Sequence, residues 1–305
     1  MTQKEFVNYV AEKIGIRSRE LIEKDIILQS ILHELSKTDL FDSFAFKGGT
    51  CLIKCYFGYY RFSEDLDFTY LNQMEFSAIS EKQIRKILSE KIDLILLALA
   101  DIAQKHGLYF KPEKQNARYV GYGASNKLVT FKLWYGAKQE AFVKIQINFV
   151  EKLLYPVRRL KAKSLIGDVL DKELGFLFPE WQYLLEPVKL NAYSLEEILV
   201  EKIRAVLTRK GIKSRDLIDI FLITNKNKAS LDSFKPQIIS KTEFVLGYEK
   251  YQKNIINKDF SSFNGFAKEE EKLLIHDIPK GFEMFLEEFR LFVQSLAKEI
   301  AGEDS

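Results

Sequence analysis

The sequence predicts an α+β fold in two lobes. Its 305 residues are more than a single hydrophobic core usually organises. Apolar residues repeat with a helical period in some stretches and alternate as in strands in others, so the chain is expected to contain both helices and strands. Prolines and glycines interrupt these patterns between residues 155 and 190, so we place the lobe boundary in that region.

The composition is that of a globular protein. Hydrophobic residues make up 47% and charged residues 29%, and the 24 Phe and 14 Tyr can fill a core. No apolar run approaches the ~18 residues of a membrane span, so we expect a cytoplasmic protein without a membrane partner. Cys51 and Cys55 are expected to be reduced packing residues. The three histidines lack the spacing of a zinc site, and their scarcity argues against a hydrolase with a histidine base.

The first part of the chain places a glycine turn between two short strands. Apolar residues repeat with a helical period over residues 18–36, and Phe44-Ala45-Phe46 predicts a strand that leads into the turn. A short helix over residues 51–56 and a strand over residues 61–70 follow.

The rest of the chain is predicted to contain helices and one pair of strands. A helix over residues 81–106 is followed by paired strands over 127–134 and 142–149. A Ser194/Glu197 capping box opens a helix over 194–209, and two further helices are predicted from near Ser214 and near 281–299.

Two carboxylates lie close together on the strand over residues 61–70. Asp65 and Asp67 are separated by the apolar Leu66, so both point to one face, roughly 6 to 7 Å apart along the chain. Carboxylates in this arrangement can bind one hard cation. The alternative is a solvated pair at the end of a strand.

The glycine turn suits phosphate binding. Gly48-Gly49-Thr50 precedes the short helix, where free backbone amides and the helix dipole favour phosphate oxygens. The turn is not a Walker loop, because Lys47 precedes the glycines. A tight turn without a ligand is the alternative. Phosphoryl-transfer enzymes neutralise phosphate charge with basic side chains and with metal ions held by carboxylates, and both kinds of group lie near this glycine pair.

Three charged residues stand out in the predicted C-terminal lobe. Lys202 falls within the apolar stripe of its helix, so it must extend to solvent, pair with a carboxylate or face a ligand cleft. Asp216 lies in a first helical turn, where the helix dipole alone would favour it. Asp219 lies deeper among apolar residues and requires a cation such as Lys202, Lys24 or Arg215.

These motifs resemble the nucleotidyltransferases of the AbiEii/AbiGii toxin type, which include the MenT toxins and belong to the DNA-polymerase-beta-like superfamily. The resemblance covers about residues 20–225. It is carried by Glu23-Lys24-Asp25, Gly48-Gly49-Thr50, Arg61-x-Ser63-x-Asp65-x-Asp67, Glu201-Lys202 and Arg215-Asp216-Leu217-Ile218-Asp219.

The resemblance implies a nucleotidyltransferase fold, with a mixed sheet and flanking helices over residues 1–165 and a mainly helical lobe over residues 166–305. It further implies that Asp65 and Asp67 bind Mg²⁺ or Mn²⁺ and that Lys202 and Asp216 are catalytic, with Asp219 as the alternative to Asp216. The nucleoside triphosphate would contact Gly48, Gly49, Thr50, Lys54, Arg61 and Ser63. The implied acceptor is RNA, particularly tRNA, and the implied protein partner is an antitoxin.

One departure from the family pattern keeps other functions open. Polymerase-beta-like enzymes commonly carry a third acidic residue on the neighbouring strand, whereas the polar face here offers Lys144, Gln146 and Asn148. An NTP-dependent phosphotransferase and a non-catalytic nucleotide- or RNA-binding module remain alternatives.

The net charge of +3 does not require a nucleic-acid partner. Two basic clusters, at residues 152–163 and 204–215, fit either a solvated surface or backbone phosphates.

Overall fold

The computed structural model describes residues 3–167, 172–263 and 271–302. The chain divides into two compact units. The first comprises Met1–Glu151 and Val157–Ala192, and the second comprises Lys152–Pro156 and Tyr193–Ser305. None of the helices in the described ranges combines the length and the apolar character needed to cross a membrane.

The first unit is built on a seven-stranded mixed sheet in the order β3-β4-β5-β2-β1-β7-β6. The strands are β1 (Phe44–Lys47), β2 (Asp65–Tyr70), β3 (Val120–Gly123), β4 (Leu128–Tyr135), β5 (Ala141–Asn148), β6 (Arg158–Ala162) and β7 (Val188–Ala192). The pairs β2–β5 and β1–β7 are parallel, and the other neighbouring pairs are antiparallel. The central position of β2 places Asp65 and Asp67 between β1 and β5.

Strict alternation on β4 and β5 gives the sheet one buried face. On β5, Val143, Ile145 and Ile147 are fully buried, whereas the residues between them are partly exposed. Asp65 and Asp67 lie opposite the partly exposed Lys144 and Gln146. Directly opposite residues share a face of a sheet, so both carboxylates point away from the apolar core.

The described residues of the first unit form five α-helices: α1 (Gln3–Ile14), α2 (Arg19–Leu35), α3 (Gly48–Leu52), α4 (Glu81–Lys105) and α5 (Lys172–Leu177). Ser80 opens α4, and a capping box with Gln83 satisfies backbone donors of its first turn. Gly107 follows at φ +64°, a left-handed conformation that ends the helix. The short α3 continues as a π-helical turn over Ile53–Phe57.

The second unit is helical and contains α6 (Leu195–Thr208), α7 (Ser214–Asn227), α8 (Lys235–Glu243), α9 (Glu249–Ile256) and α10 (Phe282–Ala301). Ser194 caps α6 by accepting the Glu197 amide. The Glu197 carboxylate accepts the backbone amides of Leu154 and Tyr155, at 2.9 and 2.8 Å, and forms a buried ion pair with Lys241. Only the Ser194 half of the predicted capping box is therefore formed, because the Glu197 carboxylate bonds segment 152–156 and Lys241.

The α+β class predicted from the sequence is confirmed, and the helices and strands predicted from periodicity are present within a few residues of their expected ends. The structure adds elements with weak patterns, including α1, β3, β6 and β7. The sequence placed β7 with the C-terminal lobe, whereas this strand belongs to the sheet of the first unit, where it pairs with β1 and β6. Some basic residues of the 152–163 cluster lie on β6, which is an edge strand of the sheet. Charged side chains on an edge strand discourage pairing with strands of other chains.

Candidate active site

Gly48 lies against the carboxylate of Asp67. A Cβ atom on Gly48 would be 2.5 Å from Asp67 Oδ2, and the glycine has a φ of +76°. The contact follows from the sheet register, in which Lys47, the last residue of β1, lies opposite Asp67 on β2. The chain leaving β1 therefore passes directly over the carboxylate, and glycine is required both for space and for backbone conformation.

Gly49 makes a second close approach, to Arg61. A Cβ atom there would be 2.4 Å from Arg61 Nη2 and 3.2 Å from Ser63 Oγ. The Thr50 hydroxyl contacts Ser63 Oγ at 2.8 Å and donates to the Asp65 carbonyl at 2.5 Å. Arg61 is buried and donates to the Phe62 carbonyl. The structure thus brings the glycine turn together with the predicted residues at the start of β2.

The Asp65 and Asp67 side chains are half-buried on one face of the sheet. The Lys144 ammonium lies 3.5 Å from Asp65 Oδ1. Gln146, opposite Asp67, donates its amide to the Thr130 hydroxyl on β4. Both carboxylates therefore remain next to polar neighbours on the more exposed side of the sheet.

The donor chemistry of this pair fits a magnesium ion bound together with a nucleotide. Within the described residues, no group of three or more His, Cys, Asp or Glu side chains is arranged to hold a metal by itself. Mg²⁺ is commonly bound by one or two carboxylates together with substrate phosphates. Asp65 and Asp67 can supply two hard oxygen ligands beside the glycine turn, and Gly48, the residue of the turn that approaches Asp67, has no Cβ.

Glu151 is a carboxylate that the sequence motifs did not indicate. It follows β5 by three residues, is buried, and accepts the Asn148 side-chain amide at 2.8 Å. Its Oε2 lies 3.8 Å from the ammonium of Lys47, which is opposite Asp67 in the sheet. Its sequence signal is an acidic residue three positions after β5, outside the strand on which the family pattern places a third acidic residue.

Lys54 lies in a buried cluster. Its ammonium is 2.8 Å from Asp25 Oδ1 and donates to the Tyr59 hydroxyl at 2.6 Å, and that hydroxyl donates to Asp25 Oδ2. Burial, and then the Asp25 charge, raises the pKa of Tyr59 well above its usual value. These contacts connect the Glu23-Lys24-Asp25 segment of α2 to the helix after the glycine turn. The nucleotide contact of Lys54 stays a prediction.

In the second unit, Lys202 contacts both candidate aspartates of α7. Its ammonium lies 2.7 Å from Asp216 Oδ1 and 2.7 Å from Asp219 Oδ2. Arg209 adds a contact of 2.5 Å to Asp216 Oδ2. Burial disfavours the charged form of Asp216, but Lys202 and Arg209 outweigh it and hold the pKa of this carboxyl well below its usual value. The buried lysine is thus matched by two carboxylates.

The C-terminal end of α6 is held by residues from and just after α9. Asn254 donates to the Thr208 carbonyl at 2.8 Å, and Lys258 donates to the Arg209 carbonyl. Burial, followed by the Arg209 charge, lowers the pKa of Lys258 to about 8. These bonds satisfy carbonyls that a helix end leaves open, and they fix the backbone from which Arg209 reaches Asp216.

A family model described as "Nucleotidyl transferase AbiEii toxin, Type IV TA system" matches residues 30–299. This chain belongs to the AbiEii family of nucleotidyltransferase toxins. The fold is similar to that of MenT4, the nucleotidyltransferase toxin Rv2826c from Mycobacterium tuberculosis H37Rv, with a TM-score of 0.56 and 16% sequence identity over 99% of this chain and 93% of that chain. No curated protein sequence matches the chain.

Membership of the AbiEii family confirms the resemblance inferred from the motifs and identifies the protein as a nucleotidyltransferase of a type IV toxin–antitoxin family. The likeness to MenT4 confirms the predicted nucleotidyltransferase fold. The structure collects Gly48, Gly49, Thr50, Arg61, Ser63, Asp65 and Asp67 in the first unit, and Lys202, Asp216 and Asp219 in the second. The roles of these residues remain predictions for this AbiEii protein.

The contact between Gly48 and Asp67 predicts a selective loss of nucleotide transfer. Gly48→Ala should abolish most activity, because its methyl group would displace the Asp67 carboxylate. Gly107→Ala is the matched control, since Gly107 also has a positive φ of +64° but a Cβ there would meet no atom of the described residues within 4 Å. Both variants should lose about 1–2 kcal/mol of stability from the left-handed backbone. Thermal melting and initial rates measured side by side test this; equal activity of the two variants would contradict it.

The Lys202 cluster predicts a pH-dependent loss of stability. Lys202→Met should lower the free energy of unfolding by about 3–5 kcal/mol at neutral pH, because Asp216 and Asp219 would lose their shared cation. In wild type, the depressed pKa of Asp216 contributes stability that is present above the unfolded-state pKa and is lost only as the pH falls from there through the folded-state pKa. In the variant, burial without the cation favours protonation of the carboxylates, so acidification from neutral pH relieves the uncompensated charge. The difference between wild type and variant should therefore shrink on acidification.

Urea unfolding at a series of pH values from neutral to about 3.5 measures this difference. The exposed Lys210, near the end of the same helix, supplies the control Lys210→Met, which should change stability by less than about 0.5 kcal/mol. A penalty for Lys202→Met that stays constant or grows as the pH falls would rule out the assigned ion pairs as its cause.

Proposed function

We propose that this AbiEii protein transfers a nucleoside monophosphate from a nucleoside triphosphate to a hydroxyl group of RNA, with tRNA as the leading candidate. The reaction depends on Mg²⁺, and Mn²⁺ is an alternative. The protein acts in the cytoplasm as the toxin of a pair, and its activity is countered by an antitoxin.

The observation that carries this proposal is the contact of the glycine turn with Asp67 on the sheet face that also holds Asp65. The turn lacks a Cβ at the point where the backbone passes the carboxylate. A triphosphate lying along this turn would place its phosphate oxygens beside the ligands of the metal ion. Phosphoryl-transfer catalysis consists mainly of such positioning and charge neutralisation.

In the proposed reaction, the acceptor oxygen forms a bond to the α-phosphorus, and the bond from that phosphorus to the oxygen bridging to the β-phosphorus breaks. Pyrophosphate leaves, and the acceptor hydroxyl proton passes to solvent or to a nearby base. Asp65 and Asp67 would hold the metal, and Mg²⁺ bound there would supply charge neutralisation for the phosphate oxygens. Arg61 and Ser63 support the glycine turn through the contacts described above, and Arg61 is too deeply buried to leave it without rearrangement.

The carboxylate pair predicts loss of transfer with retention of the fold. Asp65→Asn and Asp67→Asn should each reduce the transfer rate by at least about 100-fold, since the cation loses a charged ligand. Asp101→Asn changes an exposed aspartate on α4 and should have no effect. The assay follows the label from α-³²P and γ-³²P nucleoside triphosphates into total RNA, with and without Mg²⁺.

Each result of the labelling assay has a defined meaning. Transfer of the α-label with release of pyrophosphate supports the proposal, and sequencing the RNA ends then identifies the acceptor and the added base. Transfer of the γ-label would establish the phosphotransferase alternative. Full activity of both asparagine variants would remove Asp65 and Asp67 from the metal site.

A second prediction concerns the toxin role. Production of the protein in a bacterial cell without an antitoxin should arrest growth, and Asp65→Asn produced to the same level should be harmless. The comparison separates catalysis from the burden of protein production. Equal growth arrest by both proteins would reject nucleotide transfer as the cause. Normal growth with either protein, in cells of the native host that lack the antitoxin, would favour a housekeeping acceptor over the toxin role.

A further inference from the structure

The face of the sheet that carries Asp65 and Asp67 continues across β5 and β4 as a surface of aromatic and basic side chains. Lys144 lies opposite Asp65, Lys132 lies opposite Lys144, and Trp134 lies opposite Phe142. We call Lys132, Trp134, Phe142 and Lys144 the sheet platform. Directly opposite residues share a face, so the register alone places this platform beside the acidic pair.

The aromatic rings of the platform are held in place by contacts around them. The Trp134 and Phe142 ring centroids are 4.7 Å apart with an interplanar angle of 56°. The Trp134 indole donates to the Arg118 carbonyl at 3.0 Å, and the Arg118 guanidinium lies 4.3 Å from the Trp134 ring. These contacts fix the orientation of the indole before any ligand arrives.

Basic groups flank the second ring. The ammonium groups of Lys132 and Lys144 lie 5.9 and 5.8 Å from the Phe142 ring centroid. Of the three cations around the platform, only Lys144 has a carboxylate partner among the described residues, Asp65. Lys132 and the exposed Arg118 therefore retain charge that an anionic ligand can neutralise.

The burial pattern shows that the platform is not part of the hydrophobic core. On β4 and β5 the alternate residues Leu133, Val143 and Ile145 are fully buried, whereas all four platform side chains are partly exposed. A cross-strand aromatic pair also stabilises a sheet. That role does not account for three basic side chains gathered around two accessible rings beside the acidic pair.

We propose that the sheet platform binds a single-stranded segment of the RNA acceptor, with bases stacked on Trp134 and Phe142 and backbone phosphates near Lys132 and Arg118. The inference rests on the proposed function, because it specifies how the acceptor reaches Asp65 and Asp67. Open sheet faces that combine aromatic rings with basic side chains bind unpaired bases in this way.

The distances suit an acceptor strand that ends at the acidic pair. Phe142 is two residues from Lys144, about 7 Å along the strand, and the neighbouring strand bearing Asp65 is about 4.8 Å away. A base stacked on Phe142 is thus about 8 Å from the strand position of Asp65, the nearer of the two carboxylates. Unpaired bases are required, because the bases of a duplex are already stacked on one another. The platform therefore selects a single-stranded acceptor.

The first test is direct binding, measured by fluorescence anisotropy with a labelled single-stranded RNA of about eight nucleotides. Trp134→Leu should weaken binding roughly 5- to 150-fold, the range for losing one base stack. Lys132→Ala should weaken binding and also reduce the slope of log K against log salt by about 0.7, the value for one lost phosphate contact. Trp134→Leu should leave that slope unchanged.

Matched controls come from the same unit. Phe176 is 86% exposed and serves as the aromatic control Phe176→Leu, and the exposed Lys86 on α4 serves as the basic control Lys86→Ala. Both should bind RNA as wild type does. Thermal melting identifies any variant that fails to fold, and Lys132→Ala, at a partly exposed position, provides the test if Trp134→Leu is unstable.

Kinetics separate this inference from the proposed function. The platform variants should raise the KM for RNA and leave the KM for the nucleoside triphosphate unchanged. The proposed RNA-binding role of the platform is overturned if both variants bind RNA as tightly as wild type does. It is also overturned if the wild-type protein binds single-stranded and duplex RNA equally tightly. Either result would stand even if nucleotide transfer is observed. If the variants lose RNA binding but wild type transfers no nucleotide under any condition, the platform stands and the proposed function fails.

Discussion

The approach of Gly48 to the Asp67 carboxylate is the constraint on which the rest of the candidate site depends. The pairing of Lys47 with Asp67 forces the chain to leave β1 directly over β2. Without a Cβ, the backbone can follow this path, and Gly49 then fits against Arg61. The hydrogen bonds of Thr50 to Ser63 and to the Asp65 backbone close the arrangement. One register and two glycines thus position the turn and both carboxylates.

Two buried lysines of the described residues are already paired with carboxylates. Lys54 contacts Asp25, and Lys202 contacts both Asp216 and Asp219. A buried pair adds little net stability compared with apolar residues, but loss of one partner leaves an uncompensated charge and is costly. These residues therefore fix the positions of neighbouring groups whatever else they do. Activity measurements on their variants require a stability measurement beside them.

Sequence reasoning located the central features because each had a strong local signal. The alternation around Leu66 gave the shared face of Asp65 and Asp67, and the position of Lys202 in an apolar stripe indicated that it needed a partner. The sequence did not determine that Lys202 pairs with both Asp216 and Asp219, because other lysines and arginines could equally have supplied the cation. The role of Gly48 at Asp67 and the neighbourhood of Glu151 depend on β1–β2 register and on the loop after β5, which no spacing rule specifies.

The pairing register of β4 and β5 determines which side chains form the sheet platform. Because side chains alternate with a period of two, a slip of one residue between β5 and β4 would turn Lys132 and Trp134 to the buried face. The apolar residues Leu133, Val143 and Ile145 prevent this slip, since it would expose them to water. The same core residues that stabilise the sheet therefore hold aromatic and basic groups on the face of the acidic pair. If the platform binds RNA as proposed, a mutation in that core will alter RNA binding without contacting RNA.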